Sequence, residues 1–245
     1  MGGVWAGVRE RVLALRAAPN RRAVFGAYFK ECGHGFALRP VLTEEQVEAV
    51  ERRRGVTFPA EYRAFLLEVG AGGAGPDYGL FPVDPGEDAA PSGTDADADA
   101  DTDADTDADI DTAPPLFRPE RTAEWEEHQS AEPQRSAYGD TAGEAARFRA
   151  DHAAWDARDD ELLAALTDGA LYVSEQGCAY YTLLALTGPE RGTMWHDARA
   201  AAEGVIPVEL AGSAERVTFA QWYVHWLTIA ERRAWEEPAR KEAGA

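Results

Sequence analysis

Gly177-Cys178-Ala179-Tyr180-Tyr181-Thr182-Leu183-Leu184-Ala185-Leu186-Thr187-Gly188-Pro189-Glu190-Arg191-Gly192-Thr193-Met194-Trp195 decides the fold class of this chain. The run from Tyr180 to Thr187 is aromatic and aliphatic and has strong strand propensity. Pro189 fixes one φ of the turn that follows, and Gly188 and Gly192 are free to take φ > 0. Thr193-Met194-Trp195 starts the return strand. The hairpin offers few groups for chemistry and many for packing a sheet, which favours a binding scaffold over an enzyme.

Outward from this hairpin, strands are expected over Ala170 to Glu175, Tyr180 to Thr187, Thr193 to Asp197 and Ile206 to Leu210. Thr218-Phe219-Ala220-Gln221 is a capping box, in which the Thr hydroxyl and the Gln side chain each satisfy the other's backbone N–H. The helix it opens carries Phe219, Trp222, Tyr223, Trp226, Leu227 and Ala230 on one face, which must be buried against the sheet. Upstream, Thr141-Ala142-Gly143-Glu144 is a further capping box. It precedes Ala145, Phe148, His152 and Trp155 at helical spacing, and a separate helical stretch covers Glu161 to Leu166 before the Asp168-Gly169 turn. Thr122 to Gln129 reads as a short helix and Leu116-Phe117 as a strand stub.

Nearer the N-terminus, Trp5, Val8, Val12 and Leu15 recur at three- and four-residue intervals, an amphipathic helix ended by Pro19-Asn20. A second short helix is expected over Ala23 to Lys30, stopped by Gly33 and Gly35. Thr43-Glu44-Glu45-Gln46 caps another helix, with Leu42 and Val47 placed as its hydrophobic staple. Pro59 opens a helix over Ala60 to Val69 with Tyr62, Phe65, Leu66 and Val69 on one face, and Gly70 is its C′ residue. The glycines from Gly70 to Gly75 then lead into a short strand, Tyr78 to Val83. Helices, a strand, helices, consecutive hairpin strands and a final helix make an α+β fold with a mostly antiparallel sheet.

At 245 residues the chain can bury a full core, and its net charge is −20 with a pI near 4.6. Nine of its 44 acidic residues alternate from Asp95 to Asp111, and removing those nine still leaves −11. Such a surface repels nucleic acid and anionic membranes and attracts basic proteins. The tract self-repels and has no apolar face, so residues 86–115 are expected to be a disordered linker. Asp-Thr-Asp-Ala-Asp starts like a calcium loop, but Ala or Thr stands where position 6 needs Gly, and no Glu closes it. Two cysteines, Cys32 and Cys178, make no disulfide framework and suit a reduced cytoplasm. The first ten residues lack the pattern of a secretory leader, and no apolar run approaches the roughly 18 residues of a membrane span.

Leu42-Thr43-Glu44-Glu45, then Val56-Thr57-Phe58-Pro59-Ala60-Glu61-Tyr62-Arg63-Ala64-Phe65-Leu66 and the glycine turn, resemble the N-terminal half of a SUKH domain. That superfamily is named after yeast cell-wall assembly regulators and bacterial immunity proteins. Its pattern is an acidic helix, a spacer, Leu-Pro-x-x-Tyr-x-x-Phe-Leu and a Gly- or Asn-rich turn, with Phe58 here in the Leu place. The hairpin at Glu175 to Cys178 and the helix from Phe219 to Trp226 resemble its C-terminal half. The resemblance implies a discontinuous domain, 41–85 and 116–235. A helical extension (1–40) precedes it, the acidic linker interrupts it, and a flexible tail (236–245) follows. It also implies a cytoplasmic binding protein without catalytic residues or cofactor, often an antidote to a toxin such as a nuclease.

Weighed as chemistry, Cys32-Gly33-His34 with Cys178 and His196 lacks the paired spacing of a zinc site, and buried thiols with capping histidines are the simpler reading. Cys178 with His225 as nucleophile and base is likewise explained by core packing or its edge. Trp222, Tyr223 and Trp226 read as core. Asp77, Tyr78, Glu175 and Gln176, on two turns, are the candidate partner contacts, since Tyr brings stiff area with a polar tip. The expected role is therefore a module that occludes a basic, nuclease-like toxin without binding nucleic acid or membrane itself. The alternative is a scaffold for envelope or signalling proteins with no toxin.

Overall fold

The computed structural model describes residues 3–29, 33–86, 114–212 and 215–236. The Asp95–Asp111 tract, Cys32 and residues 237–245 fall outside these, as do the expectations made for them. Among the described residues are six α-helices: α1 (Val8–Ala14), α2 (Glu44–Arg53), α3 (Ala60–Glu68), α4 (Arg121–Ser130), α5 (Ala142–Ala165) and α6 (Phe219–Trp235). Four strands, β1 (Ala170–Gly177), β2 (Tyr180–Ala185), β3 (Met194–Asp197) and β4 (Val205–Pro207), form one antiparallel sheet in the order β1-β2-β3-β4. The fold is α+β, as the order of elements implies.

The sheet is covered on both faces, which explains why Leu183-Leu184-Ala185-Leu186 is apolar without alternation. Successive side chains point to opposite faces. Leu171, Val173, Leu184, Leu186 and Met194 join the core shared with α1, α2, α3 and α6. Tyr172, Leu183, Ala185 and Trp195 join a smaller core with Phe117, Trp125 of α4, and Leu162 and Leu166 at the end of α5.

The larger core is built on aromatic rings. Trp5 meets Phe65 at 5.1 Å, Phe65 meets Tyr223 at 4.7 Å and Tyr62 meets Phe219 at 4.9 Å, all edge to face. Pairs of this geometry contribute about 0.5–1.5 kcal/mol beyond their buried area. Glu61 binds α6 to α3, because its Oε2 accepts the Ala220 N–H at the start of α6 (3.0 Å). Buried Glu51 accepts the Phe58 N–H (2.7 Å) and faces Arg63 (3.6 Å), which joins α2 to α3. The capping boxes at Thr43 and Thr218 are both formed, and Leu42 and Val47 are buried as a staple would be. The α6 face therefore packs on α1 and α3 as well as on the core that the sheet's inner face shares.

Several local expectations are corrected. Over 23–29 the chain forms turns after a 3₁₀ segment, Arg21–Ala23, in place of a helix. Gly26 is the reason: its φ is 73°, outside the helical range, and it abuts the Asp77 backbone. Residues 142–165 form one helix without the expected break. Thr141 accepts the Glu144 N–H there, without the reciprocal bond found at Thr43 and Thr218. Tyr78 to Val83 makes no regular strand. Leu80 bridges both Ser174 and Gly73, and Gly73 bridges Leu38, so short bridges shield the β1 edge. Leu116-Phe117 is no strand; the buried Phe117 N–H is taken by the Thr187 hydroxyl (3.0 Å). That role draws Thr187 out of β2, which ends at Ala185, and the last strand is Val205–Pro207, with residues 208–210 outside it. Gly70 follows the C-cap but keeps a φ outside the left-handed region. Its lack of a side chain serves close packing, since a Cβ would lie 2.8 Å from the Arg39 carbonyl oxygen.

Candidate functional site

Two turns meet at one end of β1. Ser174, wholly buried in β1, donates its hydroxyl hydrogen to a site between two carbonyls, Pro76 O (3.1 Å) and Gly79 O (2.9 Å). This holds the loop carrying Asp77 and Tyr78. The Tyr78 N–H donates to the Glu175 carbonyl (3.3 Å), and Phe81 N–H to that of Val173 (2.9 Å). Asp77, Tyr78, Glu175 and Gln176, far apart in sequence, are thus brought together.

A third segment completes the region. A Cβ on Gly26 would lie 1.5 Å from the Asp77 carbonyl oxygen, so the Phe25–Tyr28 turn can approach this closely only through glycine. Phe25 and Phe29 lie 5.5 and 5.3 Å from the Tyr78 ring. Phe25 is 54 % exposed, Phe29 50 % and Tyr28 40 %. The result is an exposed aromatic patch centred on a half-buried tyrosine. The sequence signal for it was Phe25-Gly26-Ala27-Tyr28-Phe29, three aromatics beside a glycine, which an assumed helix concealed.

Beside the patch lies a cleft of about 280 Å³ between the Asp77 loop, the segment after β4 and α6. Asp77 and Gln176 line it with His196, Glu209, Trp222 and Trp226. Gln176 is turned inward: its Nε2 donates to Thr182 Oγ1 (2.9 Å) and His196 Nδ1 (2.6 Å). Burial keeps His196 below the usual imidazole range and so neutral. Burial also raises the Asp77 carboxyl to about 6, and Asp77 sits at φ 55°, a conformation Asp tolerates better than most residues.

Trp226 is only half-buried, at the cleft wall, in contrast to the expected core position; Trp222 and Tyr223 are buried. Its ring meets His34 edge-on at 5.9 Å. The His34 Nδ1 accepts the Phe36 N–H (3.0 Å), and burial lowers its pKa to about 4. Cys178 is exposed at the tip of the β1–β2 loop, so the buried-thiol reading does not hold for it. His225 is exposed on α6, where it lines the cleft. Among the described residues no three His, Cys, Asp or Glu side chains group to hold a metal. Nor is any helix there long and apolar enough to cross a membrane.

The sequence profile of the SMI1 / KNR4 family (SUKH-1) matches residues 41–203. The chain belongs to this family. The match contains the Asp77 loop, Gln176 and His196, and it stops short of α6 and begins after Phe25. The cleft therefore straddles the family's shared region and elements outside the match. Comparison with curated proteins and with solved structures finds no match.

Proposed function

We propose that this SUKH-1 protein is a cytoplasmic binding module of the immunity type, which docks a basic protein and covers its active site. It acts by binding, without turnover. The observation that carries this reading is the exposed Phe25 and Phe29 packed on Tyr78, with exposed Tyr28 on the same turn and the Asp77 and Glu175 turns adjoining. Aromatic area that is stiff before binding loses little entropy on docking, and clustered rings are the usual anchors of such interfaces. The charge of −20 supports a basic partner, since complementary fields speed association and select against acidic proteins. Asp77, Tyr78 and Glu175 are assigned to the contact, with Gln176 supporting the cleft wall from within. A nuclease toxin is the partner class that best suits the reading.

The test is co-expression with each small basic toxin-like protein encoded beside it. Neutralisation that is lost in a Phe25→Ser, Phe29→Ser double variant, with the melting temperature unchanged, is the expected result. Absence of any toxic neighbour, or neutralisation indifferent to these changes, sinks the immunity reading in favour of the scaffold.

A further inference from the structure

We infer that the cleft between the Asp77 loop and α6 is a subsite for a guanidinium group, supplied by an arginine side chain of the docking protein. The inference rests on the docking reading and assigns its chemistry at one point. Asp77 and Glu209 both line the cleft and make no ion pair with any described residue. Arg233 lines it too, yet pairs with neither carboxylate. Asp77 is partly drawn out of water, which is costly for an unpaired carboxylate, whereas Glu209 is exposed; a cation entering the cleft offsets the cost at Asp77. Burial holds Asp77 toward its neutral form in the free protein, and a bound cation reverses that bias.

The walls choose among cations. Trp222 and Trp226 lie on successive turns of α6 and both face the cleft. Guanidinium is planar and weakly hydrated, stacks on indole faces and presents a fork of N–H donors to a carboxylate. An ammonium group is strongly hydrated and gains less from such walls. Size agrees: about 280 Å³ lies at the lower limit of pockets for free small ligands, roughly 300–1,000 Å³, and suits one long side chain. Phe25 stands at the mouth, so the side chain would enter from the aromatic patch.

The experiment titrates N-acetyl-arginine amide, its lysine counterpart and its uncharged citrulline counterpart into the full-length, ¹⁵N-labelled protein. Indole N–H signals of Trp222 and Trp226, assigned from single Trp→Phe variants, are followed by NMR. Saturable shifts of both signals are expected with the arginine probe, at an affinity at least tenfold above that of citrulline and above that of lysine. Asp77→Asn should weaken arginine binding at least fivefold. Asn tolerates the left-handed backbone at this position, and unchanged dispersion elsewhere in the spectrum shows that the variant is folded. Glu126→Gln, exposed on α4 at the outer face of the sheet, should leave binding as it was. Equal binding of citrulline, shifts confined to other tryptophans, or an Asp77→Asn variant that binds as well overturns the assignment. The probe needs no partner, so such a failure leaves the docking reading standing, whereas a failed neutralisation test leaves a positive titration intact.

Discussion

The two faces of the sheet are held in different ways. On the inner face, α1, α3 and α6 meet through interlocked aromatic rings and a continuous set of buried aliphatic side chains. On the outer face, α5 runs for 24 residues and buries only Leu162 within its length. Beyond the smaller apolar core at its C-terminal end, the ties of α5 are polar. Trp125 donates its indole N–H to Asp159 (2.8 Å), and the Trp155 ring stacks on His128 at 5.0 Å. Arg199 spans Asp197 (2.7 Å), the Tyr172 hydroxyl (2.7 Å) and the Leu163 carbonyl (2.9 Å). Apolar burial is roughly additive with area, whereas each exposed or half-exposed polar contact yields little net stability. The inner layer is therefore expected to set global stability, and the first half of α5 to open independently. The candidate site lies where the inner layer meets the sheet edge, so it inherits a rigid support.

The sharpest way to break this contrast is a pair of aromatic deletions. Phe65→Ala should cost about 3–5 kcal/mol in chemical denaturation, the range for a large core side chain. Trp155→Ala, removing one stacked and half-exposed ring, should cost about 1 kcal/mol and raise amide exchange only along α5. Equal losses would show that the outer layer is part of the same cooperative core.

Next in size is Gly26→Ala, which places a Cβ inside the Asp77 carbonyl and forces a residue at φ 73°. A loss of about 1–3 kcal/mol is expected, together with release of Phe25 from Tyr78, read as loss of their mutual ring-current shifts by NMR. An unchanged spectrum would remove the turn from the rigid layer. A gain is expected at the tip of the site's own hairpin. Cys178 and Ala179 form a two-residue loop with φ of 53° and 61°, closed by the Gly177–Tyr180 pair. Both are L-residues in a left-handed conformation that suits Asn-Gly. Cys178→Asn combined with Ala179→Gly should raise stability by about 1–2 kcal/mol, measured as a higher denaturation midpoint.

The smallest effect is a difference in pH dependence. Asp77 titrates at about 6 when folded, above its unfolded value near 3.9, so the folded state binds the extra proton between these values. Its contribution to stability is thus present at low pH and is lost as pH rises through about 6. His34, at about 4 when folded, acts in the opposite sense, adding stability as pH rises from 4 toward 6.5. Asp77→Asn should therefore gain stability relative to the parent at pH 7 and lose that advantage near pH 4. A constant difference across the range would contradict the burial of this carboxyl.

Legibility followed the range of the interactions involved. The capping boxes at Thr43 and Thr218, the stripe on α3 and the apolar run of β2 were readable because a few neighbouring residues determine them. The break placed in α5 and the helix placed over 23–30 were wrong for the opposite reason. Trp125 of α4 supports α5 through Asp159, and Gly26 answers to a backbone 51 positions away. Of the site, the Asp77 and Glu175 turns were visible as polar bends, and Phe25, Phe29, Glu209 and the tryptophan walls were not. Trp222 and Trp226 share a stripe that reads as core, and only the contour of the neighbouring loops leaves both lining an open cleft.

By itself the sequence determined the α+β class, the acidic character, the family and the starts of α2, α3, α5 and α6, all of which follow from local propensity, periodicity and charge. Tertiary structure alone decided that both sheet faces are covered, that three distant segments converge on Tyr78, and that Asp77 lines a cleft without an ion-pair partner. Those are properties of approach and burial, and approach depends on how layers pack in space, which no local pattern along the chain encodes.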